Sequence, residues 1–166
     1  MQVWIALIRG INVGGRNKVK MAELREALGE AGCREVATYI QSGNVAFCDD
    51  RCEAELATVL QTVFDQRFGF TPRIMLVARE RFDSVVARCP YLEAAEADPK
   101  SVHGYLLGGR PTPDAVAALE AIEGVGERLQ IVDGAVYLNV DNGLRNSKLA
   151  DKIERVLKVP ATARNW

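Results

Sequence analysis

The stretch Arg34–Phe47, REVATYIQSGNVAF, decides the fold. Val36, Thr38 and Ile40 alternate with Ala37, Tyr39 and Gln41; Ser42-Gly43 interrupts, and Val45 and Phe47 resume the alternation. Period-two patterning on both sides of a short glycine-containing break reads as two strands joined by a tight turn. Upstream, Val3–Ile8 is an apolar run bounded by Gly10, a buried-strand signal. Met21, Leu24, Leu28 and Ala31 then recur at helical spacing and stop near Gly32. Downstream, Asp50 followed by Glu53 predicts a capping box. Leu56, Val59, Leu60, Val63 and Phe64 mark one helix face that ends before Gly69, and Pro72 precedes a strand over Arg73–Val77. The order around the hairpin is therefore β-α-β-β-α-β.

A shorter helix is expected around Glu80–Arg88, stopped by Pro90, and YLEAAEADPK reads as a connection. From Ser101 the order restarts. Val102–Leu107 reads as a strand. Thr112-Pro113 suits a helix cap with proline in the first turn, and Val116, Leu119 and Ile122 give the helix face. Arg128–Val132 and Ala135–Val140 flank Asp133-Gly134 as a second hairpin. Asn146 is expected to cap a helix carrying Leu149, Ile153, Val156 and Leu157, and Thr162–Trp166 begins a last strand. GGR occurs at Gly14–Arg16 and again at Gly108–Arg110, each between a strand and a helix. The hairpins YIQSGNVAF and QIVDGAVYL share the glycine and the valine two residues later. The pattern predicts an α+β fold: a tandem duplication of two ferredoxin-like βαββαβ units with mainly antiparallel sheets. The expected divisions are residues 1–89, a connection over 90–100, and residues 101–166.

The 166 residues carry a formal net charge of -1, so no global basic field points to nucleic acid and any attraction for phosphate must be local. Cys33, Cys48, Cys52 and Cys89 form no CxxC, and the sole histidine, His103, is distant in sequence. No zinc-ligand spacing results, and neither a metal nor a cofactor is expected. Free thiols in a reducing compartment follow from the same spacing. VWIALI is too short to span a bilayer. No basic segment and cleavage site surround it. The expected location is cytoplasmic, with no membrane partner.

The loop after the first strand, IRGINVGGRNKVK over residues 8–20, combines glycines, asparagines and four basic residues. Gly10–Asn17 keeps the glycine spacing of GxxxxGK[ST], but Arg16 replaces the lysine and Asn17 the magnesium-holding hydroxyl residue. A nucleotide-hydrolysing reading is thereby disfavoured, whereas anion binding by glycine-rich backbone and local charge is retained. The candidate ligand-binding set is Arg9, Asn12, Gly14, Gly15, Arg16 and Lys18, with Gln41, Ser42 and Asn44 from the hairpin and Lys148 from the second half. The competing reading is a tight crossover loop with solvated basic residues, in which Asn12 and Asn17 bond to backbone. Tyr39 and Phe47 are candidates for base stacking, although Phe47 suits the core better. No catalytic constellation assembles. Ser42 lacks a nearby histidine, and Ser147 and Lys148 are adjacent and diverge on a helix. Asp49, Asp50 and Asp141 read as caps and loop residues.

Together RGINVGGRNKVKM, TYIQSGNVAF, NSKLADKIE and VPATARNW resemble a bacterial domain-of-unknown-function family, number 1697. The resemblance implies an α+β fold with ferredoxin-like halves and assigns no activity. Its motif positions fall on Arg9, Gly10, Asn12, Gly14, Gly15, Lys18, Met21 and Gln41–Asn44. In the second half they fall on Ser147–Leu149, Thr162 and Arg164–Trp166. Similar proteins carry glycine-arginine directly ahead of SKL, where this chain has Leu144-Arg145-Asn146. They also continue beyond RNW, so a C-terminal extension is expected to be lacking here. The expected function is binding of an anion, a nucleotide or a nucleic acid, with a phosphate-bearing small molecule or RNA as partner. The alternatives are a protein-interaction or structural module, and an enzyme acting on a phosphorylated or nucleotide substrate.

Overall fold

The computed structural model describes residues 1–122, 124, 126–141 and 143–166. The chain divides into two compact units, Met1–Phe82 and Asp83–Trp166.

The first unit contains β1 (Gln2–Arg9), α1 (Met21–Glu30), β2 (Arg34–Tyr39), β3 (Asn44–Asp49), α2 (Glu53–Phe68) and β4 (Arg73–Ala78). Its strands form one antiparallel sheet in the order β2-β3-β1-β4. Side chains alternate across a strand, so Trp4, Ala6 and Ile8 share a face with Val45, Phe47 and Leu76. They pack in one cluster with Leu24, Ala27 and Leu28 of α1 and Leu56, Leu60, Val63 and Phe64 of α2. Gly69, in the left-handed region at φ 72°, ends α2.

α3 (Arg79–Ala87) crosses the boundary between the units, and α4 (Leu92–Ala97) follows within the segment expected as a connection. The second unit continues with β5 (Val102–Leu107), α5 (Pro113–Glu120), β6 (Glu127–Val132), β7 (Ala135–Val140), a short 3-10 turn at Leu144–Asn146, α6 (Ala150–Leu157) and β8 (Ala161–Asn165). The sheet order β6-β7-β5-β8 repeats that of the first unit strand for strand. This is the duplicated β-α-β-β-α-β order expected from the echoed motifs. β5 and β7 are buried along their whole length. One face packs Tyr105, Leu107, Leu138 and Val140 against Leu119, Ile153 and Leu157. The other sets Val102, Ala135 and Tyr137 against Cys89, Tyr91 and Ala95. The Tyr137 hydroxyl donates to the Val85 carbonyl at 2.7 Å. Trp166 lies 6.5 Å from the Tyr137 ring, over Gly104, where an added Cβ would stand 3.4 Å from the indole.

Several local expectations are corrected. Ile40 lies in the turn Ile40–Gly43, not in β2, and takes a left-handed φ of 43°. The cap of α2 uses Cys52, whose N–H donates to Glu55 at 2.9 Å, and not Asp50 with Glu53. Asp50 is drawn instead to Arg34 and the N-terminal ammonium. Asn146 does not cap α6 but belongs to the 3-10 turn; Leu149 stands at the N-cap with no side-chain cap, and the Ser147 hydroxyl braces the turn ahead of the helix by accepting from the Ala150 N–H at 2.9 Å. By contrast Thr112 accepts from the Ala115 N–H at 3.3 Å as its position ahead of Pro113 predicts. Asp133-Gly134 has φ of 47° and 78°, the positive pair that a two-residue hairpin turn needs.

Candidate functional site

β1 ends at Arg9, and the chain turns through residues 10–20 before α1 begins. Ile11 and Val19 are buried and anchor the two ends of this loop in the core, leaving its middle exposed. The middle is a small hairpin. Arg16 N–H donates to the Val13 carbonyl at 3.1 Å and Asn12 N–H to the Asn17 carbonyl at 3.1 Å. Gly14 and Gly15 occupy the two central turn positions at φ 59° and 75°. Both positions require left-handed backbone, which explains the glycine pair without a ligand. Asn12 Oδ1 accepts from Val19 N–H at 2.8 Å and its Nδ2 donates to the Val19 carbonyl at 3.0 Å. Asn17 Nδ2 donates to the Gly10 carbonyl at 3.0 Å, so the residue standing at the magnesium-holding position of the P-loop pattern is a structural brace. The amides of Asn12, Arg16 and Val19 thus serve the loop itself.

The β2–β3 turn is pressed against this loop. Gly43 sits where an added Cβ would be 2.5 Å from the Ile8 carbonyl oxygen and 3.2 Å from the Ile11 side chain. Ile8 N–H donates to the Gly43 carbonyl at 2.8 Å, and Asn12 Nδ2 approaches the Gln41 carbonyl at 3.4 Å. The structure therefore brings Arg9, Asn12, Gly14, Gly15, Arg16 and Lys18 together with Gln41, Ser42 and Asn44 at one end of one sheet. Within that group the roles separate. Ser42 Oγ donates to the Tyr39 carbonyl at 2.9 Å and closes its own turn. Asn44 opens β3, in register with Leu7 and Tyr39. The Arg16 and Lys18 side chains are exposed and form no ion pair among the described residues.

Lys148 belongs to the second unit. Its N–H donates to Glu127 Oε1 at 3.0 Å and the next amide, of Leu149, to Glu127 Oε2 at 3.3 Å. That pair of amides already holds a carboxylate. Phe47 is 1% exposed and belongs to the core, which removes it as a stacking surface, whereas Tyr39 is 69% exposed. His103 is buried in β5. Burial pushes its pKa below the ordinary histidine value, partly offset by a hydrogen bond to the Lys100 backbone, which favours a neutral core imidazole.

A group that sequence reasoning missed is Asp49 with Arg51. Asp49 is 5% exposed and accepts from Arg51 Nε at 2.9 Å, Arg51 Nη2 at 2.6 Å and the Arg51 N–H at 2.9 Å. These bonds hold its carboxyl down at about 2. Arg51 also donates to the Ala31 carbonyl at 3.1 Å, tying the end of β3 to the end of α1. Cys33 lies beside the pair, where burial and then the Asp49 charge push its thiol up to about 11. The pattern Asp-x-Arg after an apolar strand was the only sequence signal for it. The four cysteines are unpaired, with Cys52 alone exposed. No cluster of three or more metal-ligating side chains occurs among the described residues, and no helix there is long and apolar enough to cross a membrane.

Among solved structures, the chain is similar to the conserved bacterial protein SP0830 from Streptococcus pneumoniae, at 29% identity and a TM-score of 0.71, over 99% of this chain and 92% of that one. A putative glycine cleavage system transcriptional repressor aligns over 98% of this chain and 96% of that one, at 13% identity and a TM-score of only 0.25, too low to bear on fold or function. No curated protein matches. The family model described as "Protein of unknown function (DUF1697)" covers residues 1–137, which include the cationic loop and the hairpin that braces it. The shared motifs, the full-length structural likeness and that match lead to one conclusion: the chain belongs to the DUF1697 family.

Proposed function

We propose that the first unit binds a phosphate-bearing ligand through the loop Arg9–Lys20. The observation that supports this is a division of labour. Glycines, asparagines and two buried aliphatic residues hold the loop's shape. Arg16, Lys18 and Lys20 contribute no side-chain hydrogen bond or ion pair to it among the described residues, yet all three are exposed on it. Cations that do not serve folding remain available for an anion, and arginine suits phosphate through paired parallel hydrogen bonds. Because the Asn12, Arg16 and Val19 amides are engaged internally, side chains rather than a backbone nest would carry the contact.

The repeated strand order β2-β3-β1-β4 and its counterpart support reading each unit as ferredoxin-like. The irregular cysteine spacing supports action in the cytoplasm. Isothermal titration with inorganic tripolyphosphate tests the role: saturable binding is expected for the wild type and weaker binding for Arg16→Ala and Lys18→Ala. Equal binding by wild type and both variants would place the ligand elsewhere, and no binding would favour a protein-interaction or structural module.

A further inference from the structure

Resting on that phosphate-binding role, we infer that the ligand is a single-stranded nucleic acid, whose backbone lies along the cationic loop while a base stacks on Tyr39. Four segments meet at one end of the first sheet: the end of β1 with the loop after it, the end of β2, the start of β3 and the start of β4. Residues 9–20, 39–44 and 69–73 supply Arg9, Arg16, Lys18, Lys20 and Arg73 there, and no aspartate or glutamate. Arg9 and Arg73 are direct partners across β1 and β4. In a chain of net charge -1 this is a local segregation of charge. The next acidic residue along the chain, Glu23, is drawn to Arg67 of α2 at 3.2 Å.

Apolar surface is exposed at the same end. Tyr39 is 69% exposed, Ile40 66% and Val13 68%. Ile40 is also held at φ 43°, a conformation that costs a β-branched residue free energy and is kept only where surrounding structure imposes it. The tightly seated Gly43 and the Ser42–Tyr39 hydrogen bond supply that constraint. An exposed aromatic ring at the same sheet end as Arg16, Lys18 and Lys20, which form no ion pair among the described residues, is the pairing that non-specific single-strand binding uses, since every base offers a π-face and every nucleotide a phosphate.

The shape favours a polymer over a mononucleotide. A small ligand needs a concavity that buries most of its surface. Around Gly10, Gly14 and Gly15 an added Cβ would meet nothing within 4 Å, so the loop projects into open space. A strand gains its affinity from several weak contacts spread along such a surface, and a duplex, whose bases are already stacked, cannot offer one to Tyr39.

Fluorescence anisotropy with labelled oligo-rU and oligo-dT of equal length tests the inference, with a duplex of the same length as control. Tighter binding of either single strand than of the duplex is expected, with log K falling against log salt at a slope of about -3 for four to five neutralised phosphates. Tyr39→Ala should weaken single-strand binding about tenfold. Tyr39→Trp should retain it, with indole fluorescence quenched on binding, a readout that a folding defect would not mimic. Single-strand binding unaffected by Tyr39→Ala, or a duplex bound equally well, overturns the inference. If tripolyphosphate binds and neither oligonucleotide gains over it, the phosphate role stands and the nucleic-acid assignment falls. If none of the probes binds, both fall.

Discussion

The side-chain amide of Asn12 grips both backbone polar groups of Val19, accepting from its N–H at 2.8 Å and donating to its carbonyl at 3.0 Å. This two-point contact imitates a strand pair and closes the basic loop where Val19 enters the core. Asn12 itself stands at φ 54°, which asparagine tolerates better than most side chains. Asn12→Ala should therefore destabilise the protein by about 2 kcal/mol, through two lost hydrogen bonds and added backbone strain. Urea unfolding checks this; a change within about 0.5 kcal/mol would show that the contact does not hold the loop.

Gly43 and Gly10 separate two kinds of glycine requirement. Both have positive φ, at 77° and 76°, but only Gly43 would place a Cβ into backbone, 2.5 Å from the Ile8 oxygen. Gly10→Ala should cost roughly 1–2 kcal/mol of left-handed strain. Gly43→Ala should cost clearly more, since the β2–β3 turn must lift away from the loop. Thermal melts of the two variants give the order; equal losses would contradict the close approach.

Asp49 makes stability depend on acid pH. Its folded pKa of about 2 lies below the ordinary aspartate value, so the Arg51 interaction stabilises the fold fully above that ordinary value and is lost as pH falls towards 2. The wild type should lose on the order of 2 kcal/mol across that window from this group. In Asp49→Asn the fall should be shallower, and stability at pH 7 lower, because Arg51 is left half-buried without its carboxylate. Chemical denaturation between pH 2 and pH 6 measures both, and parallel profiles would refute the assignment.

Thiol reactivity should follow burial. Cys52 is exposed at the start of α2, whereas Cys33, Cys48 and Cys89 are buried with thiols pushed upward by burial first. Brief treatment of the native protein with iodoacetamide at pH 8 should add one adduct, on Cys52, and denaturation should release the other three. Early labelling of Cys33 on peptide mapping would show that the Asp49–Arg51 corner opens readily.

Local chemistry governs the part of the fold that can be read from the chain before it folds. Apolar runs and, in the first hairpin, apolar alternation marked the strands, β5 and β7 to the residue. Thr112-Pro113 set the cap of α5, and Asp133-Gly134 the second hairpin, because a hydroxyl ahead of proline and a residue pair tolerant of positive φ act within a few residues. The echoed order was likewise enough to expect two alike sheets. Tertiary structure alone decided which polar residues serve the fold. Nothing near Asn12 in sequence reveals that its amide will meet Val19, nor that Gly43 will lie on Ile8, since both depend on how the hairpin seats against the loop. Cys52 displaced Asp50 as a cap because Asp50 was drawn to Arg34 and the N-terminal ammonium, and Asp49 was taken by Arg51. The same packing turned Ile40 out of its strand and Phe47 into the core, leaving Tyr39 exposed beside the basic loop. Alternation assigns side chains to two faces of a strand; only the neighbours that arrive in three dimensions determine which of those faces is covered.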